Sequence, residues 1–143
     1  MKTIVIAAQK GGAGKTTLAR NLSVAASHDG RTVLCLDLDP QGSLRAWWES
    51  READTPAMLD RDPAPDALRA TLNAAKAQFD LCIIDTPPAA PEWLTEALGA
   101  ADLVLIPVRP SPDDLRAVGA TIAAVNGAGV PFVFALSLSL IHI

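Results

Sequence analysis

The stretch Lys10-Gly11-Gly12-Ala13-Gly14-Lys15-Thr16-Thr17 decides the fold, because it joins an apolar run to a helical pattern. The apolar run, Thr3 to Ala8, is typical of a buried parallel strand. Glycines let backbone N–H groups turn toward a phosphate chain, and a helix N-terminus adds partial positive charge. Lys15 would place a cation against the outer phosphates, and the Thr16 hydroxyl would ligate Mg²⁺. The usual phosphate-loop pattern has glycine where this chain has Gln9. The strand–loop–helix context still predicts a nucleotide-phosphate site.

Carboxylates stand at the ends of two further predicted strands. Asp37 and Asp39 follow the run Thr32 to Leu36, and Asp85 follows the run Phe79 to Ile84. Ligands of open α/β sheets lie beyond the carboxyl ends of the strands. Asp85 has the Walker B form, an aspartate that ends an apolar strand near the Mg²⁺ of the phosphate loop. A solvated turn would explain Asp39 equally well in isolation, but beside this loop we interpret it as a carboxylate that orients water or a metal's hydration shell.

Helix and strand patterns alternate along the rest of the chain. The periodicity predicts helices over residues 15–28, 43–51, 65–78 and 91–99, and strands over residues 103–108 and 130–136. Another helix starts at Ser111-Pro112-Asp113-Asp114, where serine caps and two carboxylates face the positive helix end. Residues 52–65, with three prolines, are predicted to be a loop. The predicted class is α/β of the P-loop NTPase type, with a mainly parallel sheet and helices on both faces.

Composition limits the class of protein. The chain has 143 residues, 50% of them hydrophobic, which predicts one folded domain and excludes disorder as the main state. The formal net charge of −4 argues against a strongly basic nucleic-acid binder. Two cysteines cannot form a disulfide framework, and Cys35 and Cys82 are expected to be core thiols. The N-terminus lacks the pattern of a signal peptide, so we expect a cytoplasmic protein.

The C-terminal segment needs a separate interpretation. Residues 117–143 carry no charge and are long enough to span a bilayer, but Asn126, Gly127, Gly129 and Pro131 interrupt them. We therefore expect no membrane span. The last six residues, 138–143, back-translate to a transposon end used as a sequencing adapter. We expect residues 1–137 to be an incomplete nucleotide-binding domain and residues 138–143 to be an adapter scar.

Together these motifs resemble the ParA/MinD family of deviant-Walker ATPases, most closely the short ParA proteins of plasmid and chromosome partition. The resemblance covers residues 1 to about 136. It rests on the phosphate loop, and on three segments that follow in the family's order: residues 37–43 (DLDPQGS), 85–88 (DTPP) and 101–108 (ADLVLIPV).

The resemblance implies roles for the phosphate loop. Lys10 would be the signature lysine that reaches across an ATP-sandwich dimer to the partner's phosphates. Lys15 would act on the phosphates of its own chain. Both are thereby implied to be catalytic cations. The residues implied to hold the nucleotide are Gly11, Gly12, Ala13, Gly14, Lys15, Thr16 and Thr17.

The resemblance also implies roles for the carboxylates, with ATP and Mg²⁺ as cofactors. Asp39 would position the attacking water. Asp37 would support the metal shell or Lys10, and Asp85 would be the Walker B acid. The implied metal group is Thr16, Asp37 and Asp85.

The implied partners are a second copy of the chain, non-specific DNA and a centromere-binding protein of the ParB type. ATP would drive dimerisation and DNA binding, so the protein would be nucleoid-associated. The resemblance places adenine and DNA contacts in strands and helices beyond residue 137. Three other possibilities stay open: a MinD-like membrane-associated positioning ATPase, a biosynthetic ATP-dependent relative, and a chain that is inactive without the segment expected beyond residue 137. Lys10 argues against the second, since those enzymes generally lack the signature lysine.

The adjacent residues Trp47 and Trp48 lie on the predicted helix 43–51. Neighbouring residues of a helix point in different directions. We therefore expect one indole in the core and the other at the surface or in a dimer contact.

Overall fold

One parallel sheet organises the computed structural model, which describes residues 1–10 and 14–136. Within that part of the chain the strand order is β3-β2-β4-β1-β5-β6, and every paired strand runs parallel. The strands are β1 (Lys2–Ile6), β2 (Val33–Asp37), β3 (Ala57–Met58), β4 (Leu81–Asp85), β5 (Leu103–Val108) and β6 (Phe132–Leu136). The helices are α1 (Lys15–His28), α2 (Ser43–Glu49), α3 (Leu68–Ala75), α4 (Pro91–Ala100) and α5 (Pro112–Ala128).

Helices cover both faces of the sheet, as the alternation of elements predicted. Successive residues of β1, β2 and β4 point to opposite sides because a strand has a two-residue period. Val5 and Ile84 join a core cluster with residues of α3, α4 and α5, whereas Ile6 and Ile83 pack with residues of α1 and α2. The central strands β2 and β4 are buried along their whole length. The predicted α/β class of the P-loop NTPase type is therefore confirmed.

The structure corrects the boundaries at several points. Residues 52–65 are not entirely loop, because the two-residue strand β3 pairs with β2 and buries Met58. The helix expected over residues 65–78 is a 3₁₀ turn, Pro65–Ala67, followed by the shorter α3. A two-residue strand buries only one side chain, Met58, and one buried side chain does not make a periodic apolar pattern. The sequence pattern therefore cannot locate this strand. Cys35 and Cys82 are buried core thiols, as expected.

The expectation for the two tryptophans of α2 was wrong. Trp47 and Trp48 both pack, partly buried, against the cluster that contains Leu44. The indole N–H of Trp48 donates to the carbonyl of Pro56 at 2.7 Å, so the chain between α2 and β3 covers this ring. The guanidinium carbon of Arg51 lies 4.7 Å from the ring centroid of Trp47. The segment between α2 and β3 therefore provides a second surface against which α2 packs. The periodicity of the helix alone cannot predict a contact with that segment.

The parallel register brings the carboxyl ends of three strands to one level. Ile6 of β1 pairs with Asp85 of β4, and Asp37 of β2 pairs with the same Asp85. The loop that leads from β1 to α1 begins at this edge of the sheet. Residues far apart in the sequence therefore meet there.

Candidate nucleotide-binding site

The start of α1 presents an open positive helix end. Gly14 precedes the helix at φ 92°, in the left-handed region that favours glycine, and no side chain caps the helix. No acidic residue lies in its first turn. The partial positive charge of the helix N-terminus is thus available to an anion. Gly11, Gly12 and Ala13, which were predicted to complete the phosphate loop, lie outside the described residues.

Lys15 is buried at the first position of α1, with 6% of its surface exposed. Burial lowers the pKa of Lys15, while the negative charges of Asp85 and Asp39 oppose that shift. A buried ammonium is unfavourable unless anions compensate it. Lys15 is therefore placed where an additional negative charge would stabilise its protonated form.

Thr16 and Asp85 are in direct contact. The Thr16 hydroxyl donates to Asp85 Oδ2 at 2.7 Å. The other oxygen, Asp85 Oδ1, is buried and has no hydrogen-bond partner among the described residues. Burial, with a smaller contribution from Asp37, raises the pKa of Asp85 to about 6, although the Thr16 hydrogen bond and Lys15 act against it. An unpartnered buried carboxylate oxygen is unfavourable in isolation, and a bound cation with its water shell would satisfy it.

Asp37 lies beside Asp85 but is tied to the backbone. Its Oδ1 accepts the N–H of Asp39 at 3.2 Å, and its Oδ2 accepts the N–H of Arg45 at 2.9 Å. Burial raises the pKa of Asp37, and the two backbone hydrogen bonds oppose that shift. The same carboxylate thus fixes both the loop that carries Asp39 and the first turn of α2.

Asp39 lies half-buried, with Oδ1 accepting the N–H of Gln41 at 2.9 Å. It borders a cavity of about 520 Å³ at the open end of α1. That cavity also has three cationic side chains, Lys15, Arg20 and Arg109. Its other lining residues are Gly14, Thr16, Thr17, Gln41, Ser43 and Pro88. Three cations, hydroxyl groups and a helix N-terminus make this cavity suitable for a polyphosphate.

A second cavity is suited to different chemistry. It has a volume of about 610 Å³ and lies between α4 and α5, where small apolar side chains such as Ala90 and Leu94 form much of its wall. No charged side chain of the described residues lines it. The charged cavity at α1 is therefore the better candidate for a nucleotide.

Lys10 lies apart from Lys15. Its ammonium contacts Asp114 Oδ1 at 2.9 Å, and 48% of its side chain is exposed. The structure therefore places Lys15, Thr16, Thr17 and Asp39 around one cavity. Asp85 adjoins this group through its contact with Thr16. Lys10, in contrast, is held against the start of α5. The hydroxyl of Thr86, in the loop after Asp85, donates to the carbonyl of Ile6 at 2.8 Å.

Sequence reasoning missed three polar residues near the site: Arg20 and Arg109, which line the charged cavity, and Asp114, which contacts Lys10. Arg109 follows β5 at the same sheet edge, and its position after a strand end could have identified it. Asp114 was predicted only as a carboxylate at a helix start. Its contact with Lys10 joins residues that are 104 positions apart, and no local pattern reports such a pair.

Neither a membrane span nor a preformed metal cage is found in the part of the chain that the structure describes. No helix there combines the length and apolar character needed to cross a bilayer. Nor do three or more His, Cys, Asp or Glu side chains converge there as a metal-binding group. Mg²⁺ in nucleotide sites commonly uses one or two protein ligands together with phosphate oxygens and water.

Comparison with known proteins identifies the family. Residues 4–140 match the CobQ/CobB/MinD/ParA nucleotide binding domain. The maintenance of carboxysome distribution protein A of Halothiobacillus neapolitanus is 37% identical over 129 residues, which cover 88% of this chain and 59% of that protein. Protein ParA of Rhizobium radiobacter is 35% identical over 124 residues, 87% of this chain and 54% of that protein.

A solved structure shows the same architecture. The ATP complex of a McdA variant from Cyanothece superposes with a TM-score of 0.77 at 26% identity, over 95% of this chain and 69% of that one. The chain spans little more than half the length of the two curated relatives. The matching family model and these relatives show that the chain belongs to the CobQ/CobB/MinD/ParA family of nucleotide-binding domains.

Proposed function

We propose that this chain is the ATP-binding and ATP-hydrolysing part of a ParA-type switch that forms an ATP-sandwich dimer and partitions a plasmid or chromosome. The observation that carries the proposal is the group at the carboxyl edge: buried Lys15, Thr16, and an Asp85 oxygen without a described partner. Such a group fits a phosphate chain with its metal better than it fits a purely structural role.

The described residues fit Mg²⁺. Thr16 and Asp85 would hold the ion, and Asp37 would act around it by fixing the adjacent loop. When bound, Mg²⁺ neutralises charge on the phosphate oxygens. Lys15 and the open end of α1 would bind the phosphates, together with Gly11, Gly12, Ala13, Gly14 and Thr17. Asp39 would orient the attacking water from its place beside the same cavity.

Lys10 supports the ParA-type reading over a biosynthetic one. In this reading its ammonium reaches the phosphates of a second copy, so that ATP joins two chains. The proposed partners are that second copy, non-specific DNA and a ParB-type protein, and the proposed location is the nucleoid in the cytoplasm. These partners rest on the resemblance to the ParA/MinD family and on one relative named Protein ParA.

A second candidate is the positioning of a protein assembly. The 37% identity to the carboxysome distribution protein of Halothiobacillus neapolitanus favours it. Both candidates use the same nucleotide site and differ in cargo. ATP-dependent DNA binding is expected in both, so the cargo must be tested separately, by plasmid-loss and compartment-localisation assays in the source cell.

Calorimetric titration of the intact protein with ATP and Mg²⁺ tests the nucleotide site. Lys15→Ala is expected to abolish binding, because it removes the buried cation beside the proposed phosphate position. Lys76→Ala, which removes an exposed lysine after α3, serves as the matched control and should bind like the wild type. Lys15→Ala with wild-type affinity would refute the proposed site.

Turnover and dimerisation test the rest of the proposal. Wild-type protein is expected to release phosphate and to dimerise with ATP and Mg²⁺. Lys10→Ala should retain ATP binding and lose both dimerisation and phosphate release. Equal loss of ATP binding in Lys10→Ala and Lys15→Ala would show that Lys10 acts within its own chain.

A further inference from the structure

Asp114 is a buried carboxylate at the first turn of α5, with 7% of its side chain exposed. Its Oδ1 accepts the Lys10 ammonium at 2.9 Å, and its Oδ2 accepts the backbone N–H of Arg109 at 3.2 Å. The Lys10 hydrogen bond lowers the pKa of Asp114 from its ordinary value, with help from the Arg109 N–H. Asp114 is therefore an anion at neutral pH, and both of its oxygens are used.

Without Asp114, the start of α5 is an unfavourable place for an ammonium. A helix N-terminus carries partial positive charge, which repels a cation. Lysine is also long and flexible, so an unpaired Lys10 would sample many side-chain conformations. The neighbouring Asp113 is exposed and makes no side-chain hydrogen bond to another described residue. The buried carboxylate of Asp114 is what fixes the Lys10 ammonium at this position.

The same carboxylate also fixes the loop between β5 and α5. Arg109 begins that loop and lines the charged cavity beside Lys15 and Asp39. Ser111 completes the arrangement, because its hydroxyl accepts the N–H of Asp114 at 3.2 Å. One side chain thus connects the Lys10 ammonium to the wall of the candidate nucleotide cavity.

We propose that Asp114 is a positioning residue that holds the Lys10 ammonium in place for its contact with the phosphates of a second copy of this chain. The inference rests on the proposed role of Lys10 in the ATP dimer. It assigns to Asp114 no contact with nucleotide. Asp114 acts on dimerisation only through Lys10. Because Asp114 already orders the Lys10 side chain in the single chain, less conformational entropy is lost when the dimer forms.

Amine labelling of the nucleotide-free protein tests the contact itself. The chain has four lysines, Lys2, Lys10, Lys15 and Lys76, so mass spectrometry can follow each one. Asp114→Asn should label faster at Lys10 than the wild type, with Lys2 and Lys76 unchanged. Asp113→Asn, one residue away on the same helix turn, should leave all rates unchanged. Equal labelling of Lys10 in the wild type and Asp114→Asn would overturn the proposal.

Dimerisation of the intact protein tests the consequence. Asp114→Asn should weaken ATP-dependent dimerisation by up to about tenfold, the usual effect of immobilising one long side chain on association, and leave ATP affinity unchanged. Lys10→Ala already removes dimerisation, so ATP affinity is the readout in that background: adding Asp114→Asn to Lys10→Ala should leave ATP affinity unchanged. A fall in ATP affinity in the double variant would show a structural role for Asp114 and would overturn the proposal.

A conservative variant guards against misfolding. Asp114→Glu keeps the negative charge and should retain most of the dimerisation; a loss equal to that of Asp114→Asn would refute the positioning role. The outcome for Lys10→Ala separates the two hypotheses. If Lys10→Ala dimerises normally with ATP, the proposed function fails. If it does not, but Asp114→Asn dimerises like the wild type, only the role of Asp114 fails.

Discussion

Asp85→Asn should stabilise the protein in the absence of metal and nucleotide, and abolish the stabilisation that they provide. Asp85 is 1% exposed, and its Oδ1 has no partner among the described residues. Its pKa is raised from 3.8 to about 6, chiefly by burial. Because each pKa unit corresponds to about 1.4 kcal/mol, ionised Asp85 lowers the free energy of unfolding by about 3 kcal/mol at neutral pH. Asparagine keeps the size of the side chain and an oxygen to accept the Thr16 hydroxyl.

The pH dependence of the difference identifies its cause. The folded protein binds the Asp85 proton more tightly than the unfolded chain, so this group begins to destabilise the fold above the unfolded pKa of 3.8 and does so in full above the raised pKa of about 6. Its unfavourable contribution disappears as the pH falls from about 7 to about 4. The stability advantage of Asp85→Asn over the wild type should therefore shrink toward zero across that interval. The lowered pKa values of Asp80, Asp102 and Asp114 affect both proteins alike.

Urea unfolding followed by tryptophan fluorescence in EDTA measures this difference. Asp54→Asn, in an exposed loop, is the control and should match the wild type at each pH. With Mg²⁺ and ATP at about 100 times the dissociation constant, the wild type should gain about 2.7 kcal/mol and Asp85→Asn little. If Asp85→Asn is no more stable than the wild type at pH 7 without metal, the burial argument is wrong.

Two further substitutions separate catalysis from packing. Asp39→Ala should lower the steady-state rate of phosphate release by about 10²-fold with ATP affinity unchanged, because the role proposed for Asp39 is to orient the attacking water; wild-type turnover would contradict this. Leu44→Ala should lower the free energy of unfolding by about 2–5 kcal/mol, because Leu44 is fully buried. Leu115→Ala, at a side chain 60% exposed, is its control and should change the same quantity by about 0.5 kcal/mol or less.

The strand-end motifs predicted the proximity of Lys15, Thr16 and Asp85, whose roles in a nucleotide site stay predictions. Lys15, Thr16 and Asp85 each follow an apolar strand at fixed spacing, and the carboxyl ends of parallel strands share one edge. That rule alone brings the three together. The class of fold followed from the alternation of strand and helix, but the order β3-β2-β4-β1-β5-β6 depends on which strands pair. Local patterns contain no information on that pairing.

Features that depend on contacts between distant segments escaped prediction. Asp114 carries the signature of a helix start, and nothing in its neighbourhood indicates Lys10. Asp37 was assigned to the metal shell or to Lys10, and the structure adds that both of its oxygens bind backbone N–H groups. The prediction for the tryptophan pair failed for the same reason, because the chain that returns over α2 lies outside the helical repeat.

The long sequence distances across the nucleotide site have a consequence for folding. Thr16 and Asp85, whose side chains touch, are 69 residues apart, and the strands β4 and β1 must pair before they can meet. Contacts of such separation form late, because a long loop must first be closed. A nucleotide that binds this edge therefore selects chains whose central strands have all assembled, and its binding energy adds to the stability of the whole sheet. During synthesis, ATP can therefore stabilise this domain only after its central strands have paired. It cannot direct the pairing of the first strands.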